Sequence, residues 1–408
     1  MFADYVQRDG RTHGMNLRWS FTPYPVGFVS RETIRGYIRG NDPISGVPFI
    51  DEIFFALTAP LTEEEKHCKI EKRPERPRLL EPATEAELHR MFLENGWTDG
   101  LPIVLPTEER VAEMLTGTDH DPQEIVGMMS VTTHEERLKY TVERVAVNAV
   151  MAGARPEHFP VILALAASCQ PSMPSSTTSW GSMMVVNGPI RNEIGMNCGR
   201  AALSPFNYAN SVIGRAWTLM SINFGDARLG PHATFTASLG HTANYNNMCC
   251  GENEERSPWE PFNVRKGAKP GANSVSLFRG WSIVNNGIGP SSQMLAKMTG
   301  LNPMGGMFTF VIDPLVAKSL KHEEGYDDPR KLSEWLVNHT NSPFKNPEGI
   351  CFVVVGGETN PMWIISDLMY QRTVPIDPWI PKNGVKKDEK PLRMPVVVEC
   401  ADGSCGIH

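Results

Sequence analysis

The chain has 408 residues, of which 41% are apolar and 21% charged, with a formal net charge of −7. That composition is enough to bury a sizeable core and excludes an intrinsically disordered chain. Lys and Arg are interspersed with Asp and Glu, so there is no basic stripe for nucleic-acid phosphates, and no run reaches the roughly 20 apolar residues that span a bilayer.

The start, Met1 to Asp9, lacks the basic-then-apolar layout of a secretory signal, so a cytoplasmic location is expected. Residues 1–62 read as a head that ends in an apolar helix, Asp51 to Leu57. A charged, proline-broken linker covers 63–83, where Glu63-Glu64-Glu65-Lys66 is followed by Pro74 and Pro77. The body, 84–375, opens on a capping box of Thr84 and Glu87. Leu88, Met91 and Phe92 make one helical face there, and Asn95-Gly96 supplies the stop.

Leu101 to Leu105 is a short apolar run bracketed by Pro102 and Pro106, after which Thr107 caps a helix burying Val111, Met114 and Leu115. Val142, Val145, Ala146, Ala149 and Val150 fall at helical spacing before Gly153, and Pro156 starts another helix. Met183 to Val186, Ser274 to Val284, Met307 to Ile312 and Ile350 to Val355 read as strands. Helices are expected at Ser291 to Lys297 and at Pro329 to Asn338, the latter behind an Asp328 cap. The pattern predicts an α/β or α+β body with a mixed sheet, and no sequence repeat recurs at a fixed period. A second linker, 376–394, leads to a tail strand, 395–408, built on Val396, Val397 and Val398.

Eight cysteines are too sparse for a disulfide scaffold, so they read as thiols, ligands or catalytic groups. Cys169 and Cys351 sit in apolar runs and read as buried small hydrophobes. The densest chemistry is in the tail, where Cys400, Asp402, Cys405 and His408 crowd around Gly403 and Gly406. Cys400, Cys405 and His408 have a spacing that suits one soft transition-metal ion or one thiolate pair, with Asp402 as proton acceptor.

Three further stretches carry candidates. The polar, aperiodic run from His232 to Trp259 holds His241 and Glu252, which read as ligands or as a general acid and base. The turn after Met183 to Val186 brings Asn187, Arg191 and Arg200, with the arginines placed to bind an acidic substrate group. Val353 to Pro361 is a strand, glycine turn and helix start that lacks a phosphate-loop pattern.

Several segments resemble a bacterial family named for its Sec-Gly-Ser-Cys motif, the UGSC family. They are Trp97 to Pro102, Val142 to Gly153, Val186 to Ile190 and Glu252 to Trp259, with Asp402-Gly403-Ser404-Cys405 matching the motif itself. Aspartate stands where that family has selenocysteine or cysteine. The resemblance implies a chalcogen centre in the tail, opening a small module that the head, or a second subunit of a homo-oligomer, would complete.

The expected function is an enzyme that uses the Cys405 thiolate, or a metal–thiolate centre with Cys400 and His408, for redox chemistry on a small substrate. A metal-binding or oligomer-assembly protein without turnover is one alternative. A hydrolase or lyase with a His241/Glu252 acid–base pair is the other.

Overall fold

A computed structural model describes residues 6, 10, 14–67, 78–129, 139–174, 176–229, 237–280, 285–296, 307–339, 342 and 344–384. The fold is of the expected α/β or α+β kind, with mixed sheets. Its strands are β1 (Ile125–Met128), β2 (Lys139–Thr141), β3 (Gly181–Asn187), β4 (Cys249–Gly251), β5 (Ser274–Gly280), β6 (Asn285–Ile288), β7 (Phe308–Ile312), β8 (Ile350–Val354), β9 (Met362–Ser366) and β10 (Met369–Pro375).

Local chemistry sets the helix starts. Thr84 accepts the Glu87 N–H while the Glu87 carboxylate accepts the Thr84 N–H at 2.9 Å, and the helix Glu85–Glu94 begins there. Thr107, Thr141 and Asp328 cap the helices Glu108–Leu115, Val142–Met151 and Pro329–Asn338, each side chain accepting one first-turn N–H, from Arg110, Arg144 and Arg330.

Two four-stranded sheets form the centre, ordered β10-β5-β3-β4 and β6-β9-β7-β8. Alternation along β3 explains the layering, because both faces of that strand are buried. Met184 and Val186 join Val275 and Leu277 in a core shared with the helices Val142–Met151, Phe159–Ala167 and Tyr208–Asn223. Met183 and Val185 point the other way, into a layer shared with Phe278, Val311, Cys351 and Val353. On the far side, Phe308, Phe310, Phe352 and Val354 meet the helices Pro314–His322 and Pro329–Asn338. The stack therefore runs helix, sheet, sheet, helix.

Both sheets have one topology. In the first, β4 is parallel to β3, β5 is antiparallel to β3, and β10 is antiparallel to β5. In the second, β8 is parallel to β7, β9 is antiparallel to β7, and β6 is antiparallel to β9. Each half thus runs three strands in its own sheet and sends its fourth to the edge of the other. The duplication is in the pairing, which is why no periodic sequence repeat announced it.

The body runs past its predicted end at 375. Ile376 is fully buried, and Trp379 and Ile380 pack on the first core. Thr118 donates to the Trp379 carbonyl at 3.0 Å, and a His120 ring nitrogen lies 2.8 Å from the Pro378 carbonyl. Prolines there shape a short 3-10 turn, Asp377–Trp379, rather than a linker. The head keeps its apolar helix, Phe49–Thr58, with no buried residue and with Phe54 and Phe55 each 62% exposed.

Gly214, inside the helix Tyr208–Asn223, lets that helix lie directly on the Asn246 carbonyl, where a Cβ would overlap. Gly214→Ala is expected to cost about 1–3 kcal/mol in urea denaturation, since the overlapping atom is backbone and cannot rotate away.

Candidate functional site

Three of the predicted residues meet where β3 and β4 end. Asn187 is the last residue of β3, and the Glu252 N–H, just past β4, donates to the Val186 carbonyl at 3.0 Å. The Asn187 amide Nδ2 donates to Glu252 Oε2 at 2.6 Å and to Glu254 Oε1 at 2.9 Å. The Gly188 N–H reaches the same Glu254 oxygen at 2.7 Å. Gly188 has φ +91°, and a side chain there would strike Asn273, so only glycine makes this turn.

Arg191 is 2% exposed and forks onto Glu255, with Nη1 at 2.9 Å and Nη2 at 2.8 Å, while Nη2 also lies 3.2 Å from Glu254. The guanidinium holds the Glu255 carboxyl down at about 2. The expected substrate carboxylate is thus replaced by carboxylates of the chain itself, and Arg191 is an internal clamp. Among the described residues, the buried Asn187 Oδ1 and Arg191 Nε have no hydrogen-bond partner.

Glu252 is fully buried and serves the backbone. It accepts the Phe262 N–H at 2.6 Å and the Val354 N–H at 3.4 Å, and Arg265 Nη2 stands 3.6 Å from it. Arg265 in turn donates to the Phe352 carbonyl at 2.7 Å. Carboxylate and guanidinium together satisfy a donor and an acceptor on the outer edge of β8, as a neighbouring strand would. Burial pushes the Glu252 carboxyl up, and Arg265 and the Phe262 N–H offset that only in part.

His241 stands elsewhere. Its ring lies against Gly181 at the start of β3, and its Nδ1 accepts the Ala243 N–H at 3.1 Å. Burial lowers its pKa. Glu252 lies beside the other end of that seven-residue strand, about 20 Å away at about 3.3 Å per residue. The structure does not bring His241 and Glu252 together as an acid–base pair.

Cys198 borders the Arg191 clamp, a residue to which the sequence assigned no role. Its thiol is half-buried and lies 3.8 Å from Arg191 Nη1, and its carbonyl accepts the Gly356 N–H at 3.0 Å, tying this loop to the end of β8. Burial pushes the thiol pKa up, Arg191 draws it down, and Glu255 raises it again. The glycines flanking it, Gly195 and Gly199, were the available signal. Arg200 is exposed nearby, its backbone packed on Gly357.

Cys400, Asp402, Cys405 and His408, with the metal ligation expected of them, lie outside the described residues. Among the described residues no group of three or more His, Cys, Asp or Glu is arranged to hold a metal ion, and no helix is long and apolar enough to cross a membrane. No family model, curated protein or solved structure matches the chain.

Proposed function

We propose that this chain is a thiol-dependent oxidoreductase acting on a small substrate at the carboxyl ends of the parallel pairs β3/β4 and β7/β8. The observation that carries the reading is the half-buried Cys198 sulfur 3.8 Å from the Arg191 guanidinium, at strand ends where α/β sheets bind ligands. Arg191 draws the Cys198 thiol toward the thiolate, which is the attacking species, against burial and Glu255, which together leave its pKa above the ordinary thiol value. Cys198 is the body thiol, Cys405 with Cys400 supplies the tail thiols, Asp402 and His408 move protons, and Arg200 orients an acidic group on the substrate. The resemblance of Asp402–Cys405 to the UGSC motif supports a thiol in that role.

The step balances as disulfide exchange. The Cys198 thiolate attacks one sulfur of a substrate disulfide and expels the other as a thiolate. Cys405 then attacks the Cys198 sulfur and expels the second substrate thiolate. Both leaving groups take the protons the two cysteines gave up, so the substrate is reduced by two electrons and the protein ends as a disulfide.

Glutathione disulfide is a suitable probe, with thiol release as the readout. In a single cycle Cys198→Ser should abolish thiol release and Cys405→Ser should stop it at one thiol per chain, with Cys198 left as a mixed disulfide, neither moving the thermal midpoint, and alkylation mapping of the unaltered protein should find the two cysteines joined. Full activity in Cys405→Ser would remove the mechanism.

A further inference from the structure

The head is built inside out. From residue 14 to residue 67 only Asp42 is buried, and among the described residues none from this stretch belongs to the apolar cores of the body. What holds the stretch together is polar. Arg18 donates to the Phe55, Ala59 and Pro60 carbonyls at 3.2, 2.9 and 2.8 Å and forks onto Glu65 at 2.6 and 2.7 Å. Asp42 accepts the Ile44 N–H at 2.6 Å, and Glu52 accepts the Ser20 hydroxyl at 2.8 Å. The apolar side chains are left outside, with Tyr24, Phe28, Ile44, Phe54, Phe55 and Leu57 each at least 62% exposed. Ile50, Phe54 and Leu57 stand at i, i+4 and i+7, on one face of the helix Phe49–Thr58.

A stretch of this size that buries no apolar side chain has no hydrophobic gain to offset the entropy of ordering its backbone, so its fold draws stability from a surface beyond itself. We propose that two copies of the chain pair through their heads about a two-fold axis, each burying its Ile50-Phe54-Leu57 face against the other. The six exposed side chains offer on the order of 900 Å², at about 200 Å² for a whole large side chain, and a standard interface takes about 800 Å² from each partner. A two-fold contact uses one surface twice, so that surface must complement itself. The head meets this condition. Arg31, Arg35 and Arg39 form an exposed stripe at i, i+4 and i+8 of the helix Arg31–Arg39 and have no carboxylate partner among the described residues. Asp51, exposed on the helix Phe49–Thr58, has no basic partner there either. Pairing the heads sets the arginines of each against the acidic start of that helix in the other, at the rim of an apolar centre. The contact is separate from the thiol chemistry proposed above and does not depend on it.

Sedimentation velocity of the full chain in reducing buffer tests this, because no disulfide can then hold two chains together. The mass should be that of two chains at micromolar concentration. Phe54→Asp and Leu57→Asp should each weaken the dimer by at least about 100-fold, with the thermal midpoint of the body preserved, since both side chains are exposed within one chain. Arg35→Glu should weaken it by about tenfold by setting like charges together at the rim. Cys198→Ser and Cys405→Ser should leave the dimer intact, which separates failure here from failure of the redox reading. A chain that stays monomeric at high micromolar concentration would overturn the proposal, and if it then cosedimented with anionic lipid vesicles the face would belong to a membrane surface instead. A dimer of unchanged affinity in both aspartate variants would overturn it as well, placing the contact outside the head.

Discussion

Glu252→Leu is expected to destabilise the protein by about 3–5 kcal/mol, because it removes one partner of a buried ion pair and leaves the other charge uncompensated. Arg265 would lose the carboxylate 3.6 Å away, and the Phe262 and Val354 N–H groups would lose their acceptor in a site with no exposed surface on Glu252. Glu252→Gln keeps an acceptor oxygen and removes only the charge, so its cost should be smaller, about 1–3 kcal/mol. Combining Glu252→Leu with Arg265→Met should cost less than the two singles together, since the double variant strands no charge. Urea denaturation gives all three numbers. If Glu252→Leu cost under about 1 kcal/mol, the pair would not be the tie between sheets that its hydrogen bonds describe.

That prediction also explains why the sequence misassigned Glu252. A carboxylate in a polar run invites an acid–base role, but what it does is set by Val354, which lies 102 residues further on, and by Arg265. The two carboxylates holding Arg191 likewise come from more than 60 residues away. Features that depend on near neighbours were legible. The capping box at Thr84 and the Asp328-Pro329 start mark their helices, and the apolar runs mark β3, β5, β7 and β8. The helix Tyr208–Asn223 was not, because most of its residues are buried and no one-sided stripe survives. β9 and β10 were missed, and with them the exchanged fourth strands, because strand order is a long-range property.

The exchange of edge strands has a mechanical consequence for the candidate site. β10 belongs by sequence to the second half yet borders β5 in the first, and β6 does the reverse. Neither half can leave without breaking a sheet edge of its partner. Asn253 adds a direct link, donating its backbone N–H to the Val354 carbonyl at 2.8 Å and its side chain to the Gly356 carbonyl at 2.9 Å. The loops bearing Cys198, Glu254 and Gly356 therefore sit on a junction fixed from both sides, which is the rigidity a site needs to hold geometry at the ends of strands.

Lowering the pH from 6.5 to 4 is expected to remove about 3 kcal/mol of stability through His158 alone. This residue is 2% exposed, closes the turn Pro156–His158 and leads into the buried helix Phe159–Ala167. Its Nδ1 accepts the Arg155 N–H at 3.1 Å, which requires an unprotonated nitrogen. Burial, with Arg155 beside it, brings the folded pKa down to about 4 from an ordinary 6.5. Between those values the unfolded chain binds the proton and the native protein does not, so stability is complete above pH 6.5 and is lost as pH falls toward 4. Glu252, whose carboxyl is raised by burial, works in the opposite sense and loses stability as pH rises above its ordinary range. The two are separated by comparing variants. His158→Asn keeps an acceptor near the Nδ1 position and cannot titrate, so its stability should lose that slope while the wild type keeps it. Identical slopes in urea denaturation at pH 4.5, 5.5 and 6.5 would assign the acid sensitivity to another group.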